Sequence, residues 1–179
     1  MRISILTAVA IAMIALNAPR AAQAQVDDQF SWGASAGAAV PANYLAKDHN
    51  TGVTIGGSMA IGGVGQSWGI RIDGMFNQFS AKSGTAAGTA RILGGSLNAV
   101  VPVIYTSDHV YLIGGLGGYG MQPGVTGQTN VTDFGLNGGI GLFLPGLNGF
   151  IEARYHHFYR ALVNKKPAVF VPITFGILF

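Results

Sequence analysis

Along most of the chain, apolar residues recur at every second position rather than every third or fourth. The stretch "WGIRIDGMFNQF" shows this most plainly: Trp68, Ile70, Ile72 and Phe76 alternate with Arg71, Asp73, Met75 and Asn77. A period of two is that of a strand with one apolar face. The same alternation sets Phe30, Trp32, Ala34, Ala36, Ala38 and Val40 against Ser31, Gly33, Ser35 and Gly37, and Val53, Ile55, Met59 and Ile61 against Thr54, Gly56, Ser58 and Ala60. Leu93, Leu97, Ala99 and Val101 oppose Ser96 and Asn98, and Phe134, Leu136, Ile140 and Leu142 oppose Gly135, Asn137, Gly139 and Gly141. Ile151, Ala153, Tyr155 and Tyr159 oppose Glu152, Arg154 and His156. The final stretch "VFVPITFGILF" carries Val169, Val171, Ile173, Phe175, Ile177 and Phe179 on one face. The glycine-rich run "VYLIGGLGGYGM" is ambiguous in parity.

These runs predict eight antiparallel strands. The links near Gly65, Ser107 and Leu147 are short, whereas those near Asp48, Gly84, Thr126 and Asn164 are longer and polar. Short turns on the side of the termini and longer loops opposite are the asymmetry of outer-membrane barrels.

Composition then chooses the solvent. Charged residues make up only 9% of the 179, and there are 28 glycines. A soluble barrel turns its apolar face inward and needs many surface charges, and water-facing strands rarely use glycine because it weakens them. A membrane barrel turns the apolar face outward, and glycine inside it makes room for a few large side chains. A soluble lipid-binding barrel is thus the weaker alternative. Aromatic spacing agrees with the membrane reading. Trp68 and Phe76, like Ile151 and Tyr159, are eight positions apart, which on a tilted strand spans roughly 19 Å. The same spacing predicts Tyr111 and Tyr119 facing outward. Pro102 and Pro172 should mark bulges or strand ends, since a closed barrel has no edge on which to place a proline.

The N-terminus reads differently. Arg2, the apolar run Ile3–Leu16 and the small-residue pattern Ala22-Gln23-Ala24 form a signal peptide over 1–24, with the barrel domain at 25–179. The run is short for a membrane-spanning helix. Without Arg2 and Arg20, eight of the 10 basic residues stand against 7 acidic ones. So modest a charge, with no basic run interleaved with aromatics, excludes nucleic acid as a partner. With no cysteine there is neither a disulfide nor a thiolate metal site.

A terminal aromatic behind alternating apolar residues, as in "VPITFGILF", resembles the signal that outer-membrane barrels present to the barrel assembly machinery, here Phe175, Ile177 and Phe179. Together with "GFIEARYHHF", it makes residues 25–179 resemble the small eight-stranded outer-membrane β-barrel superfamily, the OmpA/OmpX- and OmpW-like proteins. The resemblance implies a monomeric, multi-pass protein of the bacterial outer membrane with a structural or surface-interaction role. Its OmpW-like side allows an alternative, a narrow channel for small hydrophobic molecules.

Candidate chemistry is sparse. Arg71 and Asp73 share a face of the third strand, and Glu152 and Arg154 share a face of the seventh. Those strands oppose one another in an eight-stranded barrel whose lumen is filled, so the four should pair across it as a plug. Some small outer-membrane barrels are lipid-processing enzymes with a histidine and a serine on the lipid-facing wall. Here His156 and His157 point to opposite faces and no serine is near, so no enzyme activity and no cofactor are expected. His49 and His109 fall in predicted loops and should be solvated. "NVT" at Asn130 matches a glycosylation acceptor of little meaning in a bacterium, and "GGLGGYG" lacks the strand-to-helix setting of a phosphate loop. Lys47, Lys82, Arg91, Arg160, Lys165 and Lys166 gather at the long-loop end, whereas Asp27, Asp28 and Asp108 lie at the other. Outer-membrane lipids carry phosphates there, so two readings fit these cations, contact with lipopolysaccharide or plain loop solubility.

Overall fold

A computed structural model describes residues 30–62, 68–103, 109–124, 129–159 and 166–179. The expected signal peptide and Gln25 start, Asp27, Asp28, Asp108, Arg160 and Lys165 lie outside them. Eight strands close into an antiparallel barrel in which each pairs with its sequence neighbours and the last pairs with the first. They are β1 (Phe30–Ala42), β2 (Gly52–Gly62), β3 (Gly69–Phe79), β4 (Ala90–Pro102), β5 (Val110–Gln122), β6 (Val131–Leu144), β7 (Gly149–Phe158) and β8 (Ala168–Leu178). Links 63–68, 103–109 and 145–148 are the shorter set, and 43–51, 80–89, 123–130 and 159–167 the longer. Among the described residues no helix is long and apolar enough to cross a membrane.

Closure leaves no open edge, the condition for a sheet in lipid. β1 and β8 pair without a break from Gly33–Leu178 to Ala42–Val169. Trp32 and Phe179 exchange both backbone hydrogen bonds, at 2.9 and 3.0 Å. The 3-10 turn Pro145–Leu147 ends at Asn148, whose left-handed φ of 47° closes the link. Asn148 Nδ2 donates to the Leu178 carbonyl at 2.6 Å, tying this turn to the last strand.

Parity follows the alternation in seven strands. Trp32, Ile55, Ile70, Ile72, Leu93, Leu97, Phe134, Ile140 and Ile173 are exposed on the outer wall, while Arg71, Asp73, Asn77, Asn98, Glu152 and His156 are buried in the lumen. The fifth strand is the exception. Tyr111 and Tyr119 face inward, 3% and 1% exposed, and Leu112 and Leu116 face outward. Spacing between aromatics did not decide the matter because inward rings need facing glycines, and these are supplied. Gly141 lies against the Tyr111 ring, and Gly94 and Gly135 lie against the Tyr119 ring.

The prolines divide. Pro102 ends β4. Pro172 sits inside β8 without a bulge: the β7–β8 register is unchanged on either side of it. The cost is local, because the ladder has no rungs at Arg154–Pro172 and Tyr155–Val171, as expected of a residue without an N–H.

Candidate functional site

The lumen holds an apolar layer toward the long loops and a charged one below it, with a smaller apolar cluster of Val100, Tyr111, Ile113 and Phe143 toward the turns. Toward the long loops, inward positions at the strand ends are aromatic or aliphatic. Phe79, Phe158, Phe170, Ile92 and Met121 form a buried cluster with Ala39, Ala90 and Ala168. Link 43–51 folds back over it through the one-turn helix α1 (Leu45–Asp48), whose Leu45 is 1% exposed. His49 is buried beside it and does not meet solvent as expected. Its Nδ1 lies 3.3 Å from the Leu45 carbonyl and its Nε2 3.2 Å from the Gly88 carbonyl, so the ring sits between two loops and donates through whichever nitrogen carries the proton. Asn50 N donates to Ser80 O at 2.9 Å and Lys82 N to Asp48 O at 2.8 Å. His109, at the opposite end, is half-buried, and its carbonyl accepts from Phe143 N.

Below this cap the lumen is charged. Arg71 Nη2 lies 2.7 Å from Glu152 Oε2, and Arg71 Nε 3.0 Å from Asp73 Oδ1. Arg154 closes the ring, with Nη1 3.1 Å from Asp73 and Nε 2.6 Å from Glu152. Two guanidinium groups and two carboxylates thus balance in the barrel interior, where an unpaired charge would cost several kcal/mol. Tyr111 Oη donates to Glu152 at 2.8 Å, and Asn98 Nδ2 to Asp73 at 2.6 Å and to Ser96 Oγ at 3.0 Å. The Phe150 ring lies 5.5 Å from the Arg71 guanidinium carbon. Tyr119 and His156 share a 2.9 Å hydrogen bond between the layers, and His156 stacks on Phe170. A polar cavity remains beside the cluster, lined by Ser35, Thr54, Asp73, Arg154, Pro172 and Thr174, with about 20 Å³ of free space. That is room for about one water.

Sequence reading named the four charges but missed Tyr111 as their fifth member, because it faced that ring outward. The apolar layer was missed too, although Phe79 shares parity with Asn77, and Phe158 with His156.

The remaining candidates lie elsewhere. Phe175 and Phe179 are 44% and 65% exposed on the outer wall, and Ile177 shares their face. Lys47, Lys82 and Lys166 are exposed at the loop end. Arg91 is also exposed there, on the outward face of β4, with Nε 3.3 Å from Gln78 Oε1. His157 faces outward with its ring 4.6 Å from that of Tyr159, while His156 faces inward, so the two share no ligand. Among the described residues no cluster of three metal-ligating side chains occurs.

An apolar outer wall around a charged, filled lumen is the arrangement of an outer-membrane barrel, with lipid as the solvent of its outer face. One solved structure among the matches supports the fold. Neisserial surface protein A (NspA) superposes with a TM-score of 0.55 at 18% identity, over 83% of this chain and 95% of that one. Ail, the attachment invasion locus protein of Yersinia pestis, aligns with a TM-score of 0.49 at 14% identity, over 84% and 97%. No family model matches the chain, and no curated protein does.

Proposed function

We propose that this chain is a closed, non-enzymatic surface barrel that acts through its loops and rim in the bacterial outer membrane rather than by conducting through its lumen. The layered filling supports this most directly: Leu45, Phe79, Phe158 and Phe170 block the loop end, and the Arg71–Asp73–Glu152–Arg154 ring blocks the middle. A narrow channel for small hydrophobic molecules would need a continuous apolar path, and the charged ring interrupts it. In this reading Phe175, Ile177 and Phe179 present the last strand to the assembly machinery. The barrel is a monomer, and the loop-end cations Lys47, Lys82, Arg91, Arg160, Lys165 and Lys166 meet lipopolysaccharide phosphates.

Planar-bilayer recording of the refolded chain tests the closed lumen. The expected result is no single-channel steps from the unaltered protein. Steady conductance from the unaltered, heat-modifiable barrel would overturn the reading and favour the channel.

A further inference from the structure

Three of the loop-end lysines converge on one fixed turn. Lys47 Nζ is 5.1 Å and Lys166 Nζ 4.4 Å from the centroid of the Tyr44 ring. The two ammonium groups are therefore no more than about 9.5 Å apart, the sum of those distances. Lys82 Nζ, from the neighbouring loop, donates to the Ala46 carbonyl at 2.6 Å, so a third cation rests on the same turn. Among the described residues Asp48, the acid of that turn, forms no ion pair with any of the three.

The Lys47 and Lys166 ammonium groups repel one another across a distance near the Debye length. Loose lysines would relieve this by spreading into water, but here the turn is held. Leu45 is anchored in the cap, His49 sits between the Leu45 and Gly88 carbonyls, and Lys82 is bonded through both its backbone N–H and its side chain. The Tyr44 ring attracts both flanking ammonium groups through its face. The result is a pre-organised anion seat rather than a solvated charge run.

Its height on the barrel selects the anion. Val40, 38% exposed on the outer wall, pairs with Val171 at the end of the lipid-facing band, and Tyr44 follows four positions later. In the outer-membrane reading this sets the turn at the loop-end rim, beside the lipid headgroups. We propose that Lys47, Lys82 and Lys166, assembled around Tyr44, bind a phosphate monoester on the sugar headgroup of an outer-leaflet glycolipid. This rests on the surface-barrel reading and gives it a specific seat.

The full mature chain, refolded in neutral detergent, would be titrated with bisphosphorylated lipid A, its dephosphorylated form, and soluble inositol hexakisphosphate, with bound adducts counted by native mass spectrometry. Charge-assisted phosphate contacts should make bisphosphorylated lipid A bind at least about tenfold tighter than the dephosphorylated lipid, a preference that K47Q/K82Q/K166Q abolishes. Tyr44→Leu should weaken binding about threefold through the lost cation–π contacts. If the triple variant does not refold, K47Q/K166Q keeps the Lys82–Ala46 bond and should lose most of the preference. A triple variant with unaltered preference overturns the seat while leaving the closed surface barrel standing. Soluble inositol hexakisphosphate binding as tightly as lipid A overturns the lipid source, and no preference in the unaltered protein overturns the phosphate contact altogether. Conductance reports on the barrel reading independently of all three.

Discussion

The glycines of the inner wall and those of the outer wall are chemically identical and answer to different constraints. Inside, a Cβ on Gly94 would fall 2.6 Å from a Tyr119 ring carbon, and one on Gly135 equally close. A Cβ on Gly141 would enter the Tyr111 ring, and one on Gly176 the Phe150 ring. Outside, Gly57, Gly74, Gly95 and Gly118 pair with one another across β2, β3, β4 and β5 as a single row. At Gly74 and Gly118 a Cβ would meet nothing within 4 Å, and at Gly57 and Gly95 only a carbonyl oxygen at 3.8 Å. Gly94, Gly135, Gly141 and Gly176 therefore lie against rings that fill the lumen, and no protein atom fixes the outer row. A total of 28 glycines conceals that division.

The largest effect should come from the charges that the inner glycines make room for. Arg71→Met removes the partner that Asp73 and Glu152 share and leaves Arg154 to balance both. Breaking a buried pair in this way costs about 3–5 kcal/mol. Urea titration of the refolded barrel in lipid should show a correspondingly lower midpoint. A midpoint unchanged by the substitution would mean that water reaches the ring and screens it.

Next in size is the clash inside. Gly141→Val should drive a branched side chain into Tyr111 and, through it, disturb Glu152, with a loss of about 3 kcal/mol. Gly94→Val should cost about 1–3 kcal/mol, and here the cause can be isolated, because the nearest atoms belong to Tyr119 and Met75 side chains alone. Adding Tyr119→Leu should recover part of the loss, read as a coupling energy in a double-mutant cycle. If the two losses simply add, the Tyr119 ring is not what holds Gly94 to glycine.

How much of this could be read beforehand depended on which face was informative. Strands with a polar minority face announced their parity: Arg71 and Asp73 in β3, Glu152 and Arg154 in β7. With parity fixed, strand order alone put those four opposite one another. β5 has no such face. Its inward positions include Tyr111, Ile113 and Tyr119 and its outward ones Leu112 and Leu116, so both sides are apolar and period two carries no direction. Its orientation is set by the partners of the rings: glycines on β4 and β6, and Glu152 on β7. Those are relations between strands, and a single strand's pattern cannot hold them. His49 escaped for a similar reason. A histidine in a polar loop reads as solvated until two carbonyls from different loops are placed beside it. Pro172 shows the converse, since the expected bulge assumed that the ladder must adjust, and instead two rungs are absent while the register stays intact.

The outer row gives the smallest expected effect and the one of opposite sign. Gly74→Val adds a β-branched side chain where there is open space and where the cross-strand neighbours, Gly57 and Gly95, are also bare. Valine loses less backbone entropy than glycine on folding and suits a strand better, so the barrel should gain about 0.5–1 kcal/mol. The same substitution at Gly118 should match it, because its surroundings are equally open. Urea midpoints in lipid for the two variants would rise together if only intrinsic strand preference is at stake. A fall at both would show that the row makes a contact outside this chain, with lipid or a neighbouring protein, that the added methyl groups block. The sign of a small shift, rather than its size, therefore separates glycine tolerated on the outer wall from glycine required there.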